Sequence, residues 1–141
     1  VVAPLRLALT PAGPIDLRYG RIGNFSDREQ LLDVFTALAC QDHIVEMHHG
    51  QNPVVEITGP DTARASWGLY YYMINTRDNN VTQLGGYYDD EYRRTAAGWR
   101  ITKSVYHVES TTLLDLASGP VRAVFAGRAA PAEIDDPSRQ A

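Results

Sequence analysis

Alternation of apolar and polar residues dominates the chain and predicts strands. Ile15-Asp16-Leu17-Arg18-Tyr19 is the first such stretch. Before it, the residues up to Leu9 read as the end of a helix, and Thr10-Pro11-Ala12-Gly13-Pro14 reads as a turn. A further helix is predicted to start at Ser26-Asp27-Arg28-Glu29. There the Ser26 hydroxyl caps the amide three residues on, and Glu29 reaches back to the Ser26 amide. Leu31, Val34, Phe35 and Leu38 recur on one face, and the helix closes near Cys40 or Gln41.

Beyond it the period shortens to two. Residues 43–52 are polar and lack helix signals, while 54–58 form a strand ended by Gly59-Pro60-Asp61. The clearest strand covers residues 63–74. Ala65, Trp67, Leu69, Tyr71 and Met73 share one of its faces, and Arg64, Ser66, Tyr70 and Tyr72 share the other. Strands at 81–93 and 99–108 follow, with turns at 76–80 and 95–98. Consecutive strands of this kind pair as an antiparallel meander. One strand, a helix and then long antiparallel strands make an α+β fold, with helices on one side of a sheet. Residues 1–116 are the expected domain, its first helix incomplete, and residues 117–141 a tail rich in Ala, Pro, Gly and Asp. Within the tail, residues 121–125 are expected to pack on the body or on a neighbouring subunit, with disorder after Ala129.

A length of 141 residues suits one domain with a real core. A net charge of −4, with no cluster of Lys and Arg, argues against a nucleic-acid surface. Arg93-Arg94 reads as the solvated end of a hairpin. No run approaches the roughly 20 apolar residues of a membrane span. No signal-peptide pattern precedes the domain, so a cytoplasmic protein is the expectation. The single cysteine, Cys40, has no partner for an internal disulfide and is expected to be a small buried hydrophobe. The chain opens on Val1 inside an apolar run, so a natural segment is expected to precede it.

Three motifs carry a family likeness: Met47-His48-His49-Gly50-Gln51-Asn52, Gly85-Gly86-Tyr87-Tyr88-Asp89-Asp90-Glu91-Tyr92 and Gly98-Trp99-Arg100-Ile101. Together, over residues 10–112, they resemble the SnoaL-like branch of the nuclear transport factor 2-like superfamily. The local pattern is most similar to scytalone dehydratase and hexachlorocyclohexane dehydrochlorinase. The resemblance implies a cone-shaped, barrel-like curved antiparallel sheet packed by helices around a pocket. It also implies catalysis by a pocket His oriented by an Asp of the N-terminal helix. His48 falls at the position of that His, and the Asp would fall just before Val1. Ser104 stands where the dehydrochlorinase has an Arg, which puts chloride-leaving chemistry in doubt.

The residues support an elimination on their own terms. Such a reaction needs a base near neutral pH and a donor for the departing oxygen. Histidine suits the first task, since its ordinary pKa is about 6.5. His48 is the candidate base; His49 faces the other way and reads as structural or interfacial. Asp90 is the best substitute for the missing acid among the residues present, and Tyr88 is a candidate donor. With the resemblance fixing which sheet face meets the pocket, Leu17, Tyr19, Asn52, Leu69, Tyr71, Met73, Leu84, Ser104, Tyr106 and Val108 are the expected substrate-binding residues. Apolar walls with a few polar groups take a small hydrophobic molecule, here one built on a ring.

The histidines lack the convergent spacing of a metal site, so no metal is expected. Phosphate-cradling loops and the dinucleotide fingerprint are absent, so no cofactor is expected; Gly85-Gly86 sits within a strand and marks close backbone approach. A cofactor-independent lyase or isomerase competes with a non-catalytic binding domain and with a small β-type subunit of a ring-hydroxylating oxygenase. The outward Arg64, Tyr70 and Tyr72 predict a homodimer or homotrimer through that face.

Overall fold

The computed structural model describes residues 2–119. The tail expectations for residues 121–125 and beyond Ala129 lie outside them. The chain begins with α1 (Val2–Ala8), followed by β1 (Asp16–Arg18), a single 3₁₀ turn, β2 (Asn24–Phe25) and α2 (Arg28–Ala39). Four long strands complete it: β3 (Ile44–Gly59), β4 (Thr62–Asn75), β5 (Asn80–Thr95) and β6 (Gly98–Asp115). They form one six-stranded sheet in the order β2-β1-β6-β5-β4-β3. The last four strands are the expected meander, but β1 joins β6 in parallel, so the sheet is mixed. A curved, unclosed sheet with two helices is the cone-like α+β fold. No helix among the described residues is long and apolar enough to cross a membrane.

The N-cap of α2 is Asp27 rather than Ser26. Its carboxylate accepts from the amides of Glu29 at 2.7 Å and Gln30 at 3.3 Å. That shift of one residue leaves Glu29 too close to the cap to reach back, and it pairs instead with Arg6 and Arg28. The buried face of α2 is also rotated. Leu31 and Leu32 are fully buried, Val34 and Phe35 half-buried, and Leu38 is 60% exposed. Leu31 and Phe35 pack on Leu9, Ile15 and Leu17, and the helix beyond Phe35 leaves that core. Cys40, at the C-cap, is exposed rather than buried.

The two β segments predicted around Pro53 are one edge strand, β3, carrying a bulge between Gln51 and Val54. Asn52 takes the left-handed conformation there (φ 49°), which Asn tolerates well. Pro53 costs no ladder bond at an edge. At Gly86 the expected close approach is present: an added Cβ would collide with the His107 carbonyl oxygen.

Candidate functional site

Directly opposed residues of paired strands share a face. The register therefore builds the inner face in rows: His48, Tyr71 and Leu84; then Gly50, Leu69, Gly86 and Val108; then Trp67, Tyr88 and Tyr106; then Ala65, Asp90, Ser104 and Leu17. Against this face, Leu5 of α1 and Phe35 and Ala39 of α2 close a cavity of about 720 Å³. Its floor is buried, with Asp90 8% and Ser104 3% exposed. Its mouth is open: Cys40, Gln41, Asp42 and His48 are all solvent-accessible. His48 thus lines the cavity at its wet end and is not enclosed.

Of the residues predicted from sequence, His48, Asp90, Tyr88, Tyr19 and Ser104 come together in the lining. Eight others do not. Leu17 is wholly buried in the small core beneath the helices. Asn52 is exposed on the bulge, and Val108 is 50% exposed beside the bulge that shifts the β5–β6 register. Leu69, Met73 and Leu84 keep the inner-face parity but lie outside the lining. Tyr71 and Tyr106 form a second layer, Tyr71 against the His48 ring at 4.8 Å and Tyr106 against Tyr88 at 5.0 Å. Sequence reasoning missed Glu46, Phe35 and Ala39. Glu46 sits two residues before His48, and Ala39 is one helical turn beyond Phe35, so each spacing carried the signal.

At the floor, Trp67 Nε1 donates to the Tyr92 hydroxyl at 3.0 Å, and that hydroxyl donates to Asp90 Oδ2 at 2.7 Å. Asp90 Oδ1 has no hydrogen-bond partner among the described residues. Burial pushes the Asp90 carboxyl above the ordinary carboxylate range, outweighing the pull of the Tyr92 and Ser104 hydroxyls. Ser104 acts from across the strand pair, short of a formed bond; its Oγ accepts from the Tyr19 hydroxyl at 3.3 Å. Burial likewise raises the phenols of Tyr19 and Tyr88, so both stay protonated and able to donate.

At the mouth, the surrounding protein lowers the His48 pKa by desolvation; Glu46 opposes this and His49 adds to it. His49 itself faces outward against Tyr70, and His107 stacks on Tyr87 at 4.5 Å beside Asp89. Among the described residues no three His, Cys, Asp or Glu side chains converge as metal ligands would.

Fold and cavity together define a small α+β cone of the nuclear transport factor 2-like kind. The solved structures that resemble it bear this out. A putative scytalone dehydratase from Novosphingobium aromaticivorans superposes with a TM-score of 0.66 at 16% identity, over 86% of this chain and 76% of that one. A hexachlorocyclohexane dehydrochlorinase of type 3 from Novosphingobium barchaimii gives 0.67 at 19% identity, over 84% and 79%. A nuclear transport factor 2-like protein from Salmonella enterica gives 0.67 at 12% identity, over 77% and 78%. At such identities the likeness is one of fold. No curated protein matches the sequence. The sequence profile of the SnoaL-like domain matches residues 8–105, most of the chain, and the protein belongs to that family.

Proposed function

We infer that the protein is a cofactor-independent lyase or isomerase that eliminates water from a small, apolar, cyclic substrate. One observation carries the reading: a single cavity holds an imidazole lowered in pKa and a carboxyl raised in pKa. Environments that push two titratable groups apart in this way separate a base from an acid. His48, neutral, takes the proton beside a carbonyl. The C–H electron pair becomes the new double bond, and the β-hydroxyl leaves as water with a proton that cavity water relays from Asp90 at the floor. Tyr88 is the donor for the carbonyl oxygen. Exchange with cavity water returns the proton from His48 to Asp90. The dehydratase and dehydrochlorinase names among the structural neighbours point to the same reaction class.

The test is a panel of cyclic β-hydroxy ketones of one to four rings. Two signals are followed: absorbance of the conjugated enone, and deuterium uptake beside the carbonyl in D₂O. Turnover is expected for at least one member. His48→Gln is expected to lose about 10²–10⁴-fold of it with unchanged melting temperature. Binding of these ketones with neither turnover nor exchange would leave a non-catalytic binding domain as the surviving reading.

A further inference from the structure

We propose that Glu46, tethered by Tyr71, is the carboxylate that charge-balances His48. The inference rests on His48 acting as the base. Glu46 and His48 lie two residues apart on β3, so their side chains leave the same face. Tyr71 stands opposite His48 on β4 and touches both groups. Its ring meets the imidazole edge-on, with centroids 4.8 Å apart and an interplanar angle of 62°. Its hydroxyl donates to Glu46 Oε1 at 2.6 Å. A buried phenol therefore fixes the carboxylate beside the ring it packs against, and Glu46 lines the cavity with His48. When His48 gains a proton, this carboxylate offsets the new charge.

Asp90 does not fill that role. It is held at the floor by Tyr92, and the charges that act appreciably on His48 are those of Glu46 and His49. The remaining titratable groups on the cavity are Tyr19, Cys40, Asp42, Tyr88 and Asp90. Tyr71 faces the imidazole from β4 as a neutral phenol, since burial and Glu46 both raise its pKa.

The experiment is an NMR titration of the histidine ring protons in the intact protein, with His48→Gln assigning its resonance among the four histidines. Opposite charges about 7 Å apart on one strand face, partly screened, shift a pKa by about one pH unit. Glu46→Gln is therefore expected to lower the His48 pKa by about that much. Glu46→Asp is expected to retain most of the original value, and Tyr71→Phe to fall between. A purely structural role for Glu46 would leave the titration in place, and an unchanged His48 pKa in Glu46→Gln overturns the proposal. Should Glu46→Gln fail to fold, the ordering of Glu46→Asp and Tyr71→Phe decides it. No substrate is needed, so a shifted pKa in a protein that turns over none of the ketones keeps the pairing and removes the lyase.

Discussion

Replacing Asp90 with Asn is expected to stabilise the protein at neutral pH while slowing any turnover. The carboxyl is 8% exposed, and among the described residues only Oδ2 has a hydrogen-bond partner. Its pKa lies above the ordinary 3.8, so the native state holds this proton more tightly than the unfolded chain does. The sign follows from linkage: the native state binds more protons, so stability falls as pH rises. The loss begins near 3.8, where the unfolded chain ionises, and ends at the higher native pKa. Above its native pKa the ionised group also strands one buried oxygen. An unsatisfied buried polar group costs about 1–3 kcal/mol. Asn keeps an acceptor for the Tyr92 hydroxyl and carries no charge; its amide nitrogen inherits the unpartnered position, so what is recovered is the cost of the buried charge, about 1–2 kcal/mol. For a domain of this size that is a rise in melting temperature of about 3–8 °C.

Thermal melts of both proteins from pH 3 to 8 measure the effect. The advantage of Asp90→Asn is expected at pH 7 and to vanish near pH 3.5, where Asp90 is neutral in both states. A variant less stable at pH 7, or an offset that ignores pH, would refute the reasoning. A gain in stability coupled to a loss of turnover is the pattern of a group retained for chemistry.

Cys40 is exposed on the cavity rim, so a thiol reagent should modify it readily. An apolar cavity ligand at ten times its Kd should slow that reaction about tenfold, and an unaffected rate would place the ligand elsewhere. Gly86→Ala forces a Cβ against the His107 carbonyl oxygen and should cost about 2–4 kcal/mol in denaturant titrations. Gly85→Ala meets only the rotatable Ser110 hydroxyl and should cost much less; equal losses would contradict the contact. The outer face carries Tyr70, 41% exposed, beside His49. We propose that a homodimer or homotrimer forms there, which light scattering would disprove by finding a monomer.

The β-meander was legible because period-two alternation survives along β4, β5 and β6, and because turn residues separate them, Thr76-Arg77-Asp78-Asn79 and then Thr95-Ala96-Ala97-Gly98. Parity grouped the residues of each face, and the family resemblance chose which face is inner. Neither could say how far along that face the helices reach, and this decides which inner residues meet the cavity. Leu17 is inner but covered by α1 and α2, while Leu69 and Met73 are inner but beyond the lining. The bulges were illegible for a related reason: Val108 sits where Glu109 is inserted between the residues facing Gly86 and Gly85, a matter of pairing between strands. The helix cap was ambiguous because Ser26 and Asp27 are both good capping residues, and only the backbone selects one. Glu46 was not legible as a site residue although its spacing from His48 is plain, because only the pairing of β3 with β4 brings the Tyr71 hydroxyl to its carboxylate.

One physical cause prepares both proposed reacting groups. In water at pH 5 to 6, an ordinary Asp and an ordinary His are mostly charged. Desolvation opposes charge on either, so it drives His48 toward the neutral base and Asp90 toward the protonated acid. The open mouth limits this at His48, which water still reaches. An apolar ligand that displaces the cavity water removes the limit. Saturation with an unreactive cyclic hydrocarbon is therefore expected to lower the His48 pKa further and to raise that of Asp90. NMR of the His48 ring and the Asp90 carboxyl carbon would follow both. Movement of both groups toward neutrality supports a cavity whose dryness sets the chemistry. If the hydrocarbon binds and neither titration moves, desolvation is not what tunes them, and the acid–base assignment loses its physical basis.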